Sequence, residues 1–447
     1  MVGAYLSDRS IQYIGRDGLT HVREMSCGVP QGSVLGPLLW NLAYDAVLRV
    51  SLPPGVHLIC YADDTMVLTE GNTFEKTLSL AEVGLARVVT KIHGLGLRVA
   101  PHKTEALWFH KLPRRLEPPS TSVRVGDADV QVSKHLKYLG LTLDGRWGFE
   151  EHFERLVPRI QKVAGAMHGL LPNLGGPQEG VRRLYAEVVR SIALYGSPVW
   201  SKRLSSVQRL RTKLNSVQRK MAIRVARGYR TISFEAATVL ARCPPFDILA
   251  DMDARIYAES RTISQRSTDA EVEPKALRQQ ARQQAITIWR VRLEQERNAR
   301  QRTVGAILPN FEAWLARSRG NVTFRLTQVL TGHGCFGEYL CRIGREATPR
   351  CHHCGENQDT AQHTLAECSA WNPERVALVS HVGSDLFPSA VVAAMLAEDE
   401  AWIAMVTFCE IVMAKKEAAE RDRERADPSR RRPRRADGNH RPIPSDL

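Results

Sequence analysis

The chain has 447 residues, 43% of them hydrophobic, which at about 150 residues per domain predicts two or three domains with real cores and excludes a disordered polymer. Lys and Arg number 62 against 48 Asp and Glu. The resulting net charge of +14 favours nucleic acid or an anionic membrane surface over a small acidic ligand as partner.

Residues 1–144 alternate short apolar, β-prone runs with Gly and Pro, and include a helical stretch at 74–93, so they predict a mixed α/β unit. Residues 148–228 turn helical. Val181, Leu184, Tyr185, Val188, Val189 and Ile192 recur at the spacing of one helix face. The next predicted helix, 206–227, carries Lys213, Arg219 and Lys220 beside an apolar side, either as a solvated basic face or as a phosphate-contacting one. Residues 259–302 are rich in Arg, Gln, Ala and Glu and predict a long exposed linking helix. A second compact segment follows at 321–385, then a helix to 414. The tail from 415, with Arg430 to Arg435, has the composition of a disordered segment. The apolar run 401–414 is interrupted by Glu410 and too short to span a bilayer, so no membrane span is expected. The first residues lack the pattern of a secretory signal, which predicts a reducing compartment for the nine cysteines.

Residues 56–68 hold two apolar runs of strand length flanking Asp63 and Asp64, a hairpin with acids at its turn. Adjacent Asp residues are common turn formers. Upstream, residues 28–42 place Gly28, Pro30, Gln31, Gly32, Gly36 and Pro37 before an apolar helix. Such a loop lets backbone approach a ligand closely and aims free N–H groups at phosphate or sugar.

Taken in this order, the two segments resemble the palm of reverse transcriptases. Tyr61-Ala62-Asp63-Asp64 matches the family's Y-x-D-D signature, and residues 28–42 its nucleotide- and template-contacting loop and helix. Residues 94–105 and 136–144 resemble the next motif and the hairpin that grips the primer end. Leu35 to Asn41, Leu194 to Trp200 and Arg227 to Ser233 look most like non-LTR (LINE-type) retrotransposons of arthropods, with the elements that insert into ribosomal RNA genes as the nearest likeness.

The resemblance implies an α+β fold: a partial right-hand polymerase palm (antiparallel sheet with helices) at 1–145, a helical thumb at 146–258, a helical linker at 259–320, a zinc-knuckle region at 321–385, a helix at 386–414 and a basic tail at 415–447. It implies an RNA-directed DNA polymerase using two Mg²⁺ (or Mn²⁺) ions in target-primed reverse transcription. Asp63 is then a direct metal ligand and Asp64 assists. Pro30, Gln31, Gly32, Tyr61 and Ala62 meet the nucleotide. Lys103 either protonates the leaving pyrophosphate or is a solvated surface lysine. The partners implied are the element RNA template, the target DNA primer and dNTPs. The implied location is nuclear at the integration site and cytoplasmic during synthesis, with oligomeric state left open.

The family's motif with the first catalytic Asp precedes the Gly28 loop by several tens of residues, and the acids upstream here, Asp8, Asp17 and Glu24, lack its pattern. The expectation is therefore a C-terminal part of a polyprotein, inactive alone. A non-catalytic nucleic-acid-binding remnant is the alternative. Finally, Cys351-x2-Cys354-x8-His363-x4-Cys368 supplies three thiolates and one imidazole, a closed structural Zn²⁺ set, with His333, Cys335 and His352 outside it.

Overall fold

The computed structural model describes residues 2–30, 32–113, 115–266 and 274–427. They form two compact units, 1–148 and 149–447. The first unit contains α1 (Val2–Leu6), β1 (Ser10–Ile14), β2 (Thr20–Glu24), α2 (Gly36–Leu48), β3 (Val56–Tyr61), β4 (Asp64–Thr69), α3 (Phe74–Gly94), β5 (Ala106–Leu107), β6 (Ser122–Val125), β7 (Ala128–Ser133), β8 (His135–Tyr138) and β9 (Leu141–Asp144).

Helix and sheet are mixed here as expected, but the antiparallel sheet is divided. Strand pairs β1–β2, β3–β4 and β8–β9 are separate antiparallel hairpins, and β6–β7 gains β5 as a two-residue parallel edge. The reason lies in α3, which stands between two of these sheets. Val88 and Ile92 on one flank pack with Tyr44 and Val47 of α2 and with Leu58 and Val67 of the β3–β4 hairpin. Val89, one residue round the helix, packs instead with Val123, Val125 and Val130 of β6–β7. Thr73 caps the start of α3 by accepting from the Lys76 N–H. Gly84 lets α3 close on the hairpin, because a Cβ there would sit 2.7 Å from Val56 Cγ1.

The second unit has helices and no strand among its described residues. It runs through α4 (Glu150–His168), α5 (Glu179–Ala193), α6 (Ser197–Ser206), α7 (Gln208–Val225), α8 (Phe234–Ala241), α9 (Phe246–Arg266), α10 (Pro274–Glu294), α11 (Glu296–Ala299), α12 (Arg302–Ile307), α13 (Phe311–Ala316), α14 (Phe324–Thr331), α15 (Gly337–Arg342), α16 (Asn372–Val382), α17 (Pro388–Ala397) and α18 (Asp399–Ala426). Its core is built on Trp200, Trp289 and Trp314, all fully buried.

Three sequence expectations change here. The buried face of α5 is Arg182, Ala186, Val189 and Ala193, whereas Val181, Leu184 and Val188 are exposed. The face turns inward because the Arg182 guanidinium donates to the carbonyls of Pro172, Gly175, Pro177 and Arg224. The expected exposed linker is packed instead: Leu277, Ala281, Ala285, Trp289 and Leu293 recur every fourth residue and are buried, and the Trp289 ring meets Phe311 edge-on at 5.1 Å. The expected helix at 386–414 is two helices, broken at the extended Glu398. The second of them continues past 415 because Lys416 and Glu420 are buried against the unit. Residues 428–447, including Arg430 to Arg435, lie outside the described residues. Among the described residues no helix is long and apolar enough to cross a membrane.

Glu179, at the start of α5, joins distant parts of this unit. It accepts from Arg242 at 2.7 Å and from Arg317 at 3.2 Å, with all three side chains buried. Removing one charge of such a set leaves the others without a partner in low dielectric. Glu179→Ala is expected to lower stability by about 3–5 kcal/mol in urea unfolding. Glu151→Ala, which breaks an exposed pair with Arg155, should change it by less than about 1 kcal/mol. Equal losses would show that burial is not what makes Glu179 matter.

Candidate active-site hairpin and metal-binding cluster

The β3–β4 hairpin pairs Tyr61 with Asp64, so Ala62 and Asp63 alone make the turn. Two-residue hairpin turns need left-handed backbone. Ala62 adopts it, at φ +53°, without being glycine. A non-glycine residue in that region requires support from its surroundings. That support comes from α2: the Trp40 indole N–H donates to the Ala62 carbonyl at 3.1 Å. One helical turn on, Tyr44 stacks on Trp40 with ring centroids 5.0 Å apart and shares a 2.6 Å hydrogen bond with Thr65. Burial raises the Tyr44 phenol above its ordinary pKa, so it stays neutral. The result presents Tyr61, Asp63 and Asp64 as exposed side chains on a turn anchored from behind.

The loop before α2 is ordered by local bonds. Arg9 donates to the Gly28 carbonyl at 2.6 Å, Ser33 accepts from the Gly36 N–H at 3.0 Å, and Tyr5 donates to Ser33 at 2.5 Å. Gly28 and Gly32 both have left-handed backbone. Pro30 and Gly32 lie in this loop, while Gln31 lies outside the described residues. Trp40 thus connects the helix that follows the loop to the carboxylate turn. Lys103 ends a short 3₁₀ turn, Pro101–Lys103, and is exposed. Among the described contacts its side chain makes none with the hairpin. The β8–β9 hairpin turns through Leu139 and Gly140, both left-handed, and its Lys137 N–H donates to Glu105 at 2.7 Å. Burial first, then the nearby Asp64 charge, raises the Tyr138 phenol.

In the second unit Cys351, Cys354, His363 and Cys368 converge, with one donor atom of each lying within 4.8 Å of the others. A tetrahedral ion with about 2.3 Å bonds separates two sulfurs by about 3.8 Å. The Cys351 and Cys368 sulfurs are 3.9 Å apart, and Cys354 Sγ is 3.3 Å from His363 Nε2. Donor set and spacing therefore fit one ion. Glu367 faces the other ring nitrogen of His363 at 3.6 Å, the position from which a carboxylate fixes a ligand imidazole. Burial pushes the Cys368 thiol up to about 12 and raises Cys351. His352 and His353 stay out of the cluster: the first faces Glu346 at 3.3 Å and the second packs on Trp371.

The loop carrying these ligands is fastened to α18. Lys416 donates to both oxygens of Asp359 at 2.9 and 2.8 Å, and the same carboxylate accepts from the Gly337 N–H and the Thr364 hydroxyl. Arg375 donates to the Cys368 carbonyl at 2.6 Å.

On α7 the basic face is largely committed within the fold. Arg219 donates to the carbonyls of Ile232 and Arg230, and Lys213 pairs with Glu154 at 3.3 Å. Lys220 remains exposed.

Sequence reasoning did not find Trp40, Tyr44, Asp359 or Lys416. An aromatic pair at i, i+4 just after the Gly-Pro loop was the available signal for the first two. Asp359 and Lys416 are far apart in sequence and carried none.

Residues 4–143 match the family model of reverse transcriptase (RNA-dependent DNA polymerase). The exposed carboxylate turn and its supporting helix fall within that match. The chain is 27% identical, over 76% of its length, to a 115 kDa protein in the type-1 retrotransposable element R1DM of Drosophila melanogaster. It is 24% identical, over 83%, to the Pol polyprotein of the R1 element of Bradysia coprophila, and 25% identical, over 70%, to that of Nasonia vitripennis. It spans about a third of the first two relatives, 33% and 37%, and 94% of the third. No solved structure matches.

Trp40→Phe keeps the ring stack and removes the indole donor. It is expected to lower stability by about 1 kcal/mol and to speed amide exchange at Asp63 and Asp64. Unchanged exchange there would show that Trp40 does not hold the turn.

Proposed function

We propose that this chain carries the polymerising centre of a non-LTR retrotransposon reverse transcriptase of the type that inserts into ribosomal RNA genes, copying element RNA from a target DNA primer with dNTPs. The carrying observation is the pair of exposed aspartates on a supported two-residue turn inside the reverse-transcriptase match. In this reading Asp63 and Asp64 hold Mg²⁺ (or Mn²⁺). Bound there, the ions lower the pKa of the primer 3′-hydroxyl and neutralise the nucleotide phosphates. Asp63 acts as a direct ligand and Asp64 assists, their carboxylates exposed so that substrate oxygens and water complete the coordination. Pro30, Gln31, Gly32, Tyr61 and Ala62 border the nucleotide. Trp40 and Tyr44 position the turn from behind. Lys103 supplies a proton to the leaving pyrophosphate from its exposed place on the 3₁₀ turn. Such work belongs in the nucleus at the integration site, and in the cytoplasm during synthesis.

RNA-templated primer extension by a protein containing these 447 residues should require Mg²⁺ or Mn²⁺. Asp63→Asn should slow it by at least about a hundredfold, a loss of the size seen when one charge-stabilising group is removed. Synthesis that survives this change would sink the assignment.

The cluster of Cys351, Cys354, His363 and Cys368 holds Zn²⁺ in a structural role, since four protein ligands leave no open position for substrate. Zinc analysis should give one ion per chain, and Cys368→Ser should lose it. Chelation should loosen the loop and, through Asp359 and Lys416, speed amide exchange in α18. Exchange in α18 unmoved by chelation would separate the metal from the helix.

A further inference from the structure

A cavity of about 290 Å³ opens between α4, α5 and α7 in the second unit. Its walls are apolar, with Leu171, Val189, Val217 and Met221 buried around it. Two polar side chains, Gln161 and Tyr185, also line it, and between them they can both donate and accept hydrogen bonds. No Asp or Glu is among its lining residues, whereas Arg182, Lys220 and Arg224 are.

The three cations differ in what they can do. Arg182 is fully buried and committed to four backbone carbonyls. It contributes a fixed positive field at the floor. Burial, with Arg227 and Arg224 close by, lowers its pKa to about 10. Lys220 is exposed, whereas Arg224 is half-buried and donates to Asn173 Oδ1 at 3.4 Å. The site thus has an apolar slot, hydrogen-bonding groups on its wall, and positive charge. An aliphatic anion leaves Gln161 and Tyr185 without a use. A dinucleotide exceeds the volume, which lies at the lower end of small-ligand pockets, about 300 Å³.

We propose that this cavity receives one unstacked nucleotide of a single-stranded nucleic acid, its base in the apolar slot and its phosphate on the exposed Lys220. The proposal rests on the nucleic-acid reading above and adds to it a site away from the carboxylate turn. Bases leave the stack readily in single strands and are held by apolar or aromatic walls with hydrogen bonds to their edges. Such a pocket anchors a strand at one point without pairing.

The probe is adenosine 5′-monophosphate, read by the Met221 methyl resonance in the full chain. Adenosine 5′-monophosphate should move that resonance and bind about tenfold more tightly than ribose 5-phosphate, the difference expected for one base held by stacking or apolar contact. Gly165 lines the cavity, and a Cβ built on it meets nothing within 4 Å. Gly165→Phe therefore adds a ring at the cavity lining with its Cβ placed free of clash. It should reduce binding about tenfold, as should Lys220→Glu, while both variants keep the parent's thermal unfolding.

Binding of ribose 5-phosphate as tight as that of the nucleotide, or tighter binding of decanoate, overturns the proposal in favour of a bare phosphate or an aliphatic anion. RNA affinity that persists unchanged in Gly165→Phe, with no response to the nucleotide, overturns the pocket and leaves the polymerase assignment intact. Primer extension that survives Asp63→Asn, with the Met221 response retained, overturns the polymerase assignment and leaves the pocket intact.

Discussion

A turn of two residues is the tightest way to reverse a strand, and it sets the side chains at its tip apart from those that pack beneath. Ala62 accepts left-handed backbone to make that turn, which carries an intrinsic penalty of roughly 1–2 kcal/mol for a residue with a Cβ. The Trp40 bond to the Ala62 carbonyl, with Tyr44 and Thr65 beside it, offsets that penalty. Everything proposed of the first unit follows from this arrangement. Carboxylates fixed at a tip can meet a ligand from solvent, and carboxylates on a mobile loop would lose that geometry.

The second unit solves a different problem with the same means, giving each buried charge several partners. Glu179 takes Arg242 and Arg317. Lys416 takes both oxygens of Asp359, whose remaining acceptor sites take a backbone N–H and a hydroxyl. A single buried pair is weak support for a fold, because desolvation opposes it. A carboxylate with three or four donors is different, since its hydrogen bonds replace those lost from water. The Asp359 set also places the metal-competent loop and α18 under one constraint, so the ligand geometry at Cys351 and Cys368 depends on Lys416, more than forty residues later in the chain.

What was legible in the sequence was what depends on neighbours along the chain. Strand, turn, strand at residues 56–68 and the spacing of Cys351, Cys354, His363 and Cys368 are local patterns, and the structure has both. Contacts set by distant partners were not legible. Val181, Leu184 and Val188 have the spacing of a buried face, yet α5 buries Arg182 because four carbonyls from the flanking loop and α7 await it. Residues 274–294 look solvated by composition, but a stripe of alanines at every fourth position brings α10 close enough to bury Trp289 and Leu293. Small residues hide a packing face from any count of large apolar ones.

The same distinction changes what the charge excess means. A count of +14 treats every arginine as available to a polyanion. Arg182 and Arg317 are buried and Arg302 is half-buried, each with its pKa lowered by desolvation, and Arg219 is engaged with backbone carbonyls. These groups still add to the long-range field, which acts through low dielectric and steers association. Their burial and internal hydrogen bonds take them away from the direct phosphate contacts that give salt-dependent affinity. In the proposed reading, contact falls to exposed cations such as Lys220, which lines an apolar cavity. The positive charge of this chain is therefore divided by burial into arginines that hold the fold and cations on its surface that can meet nucleic acid.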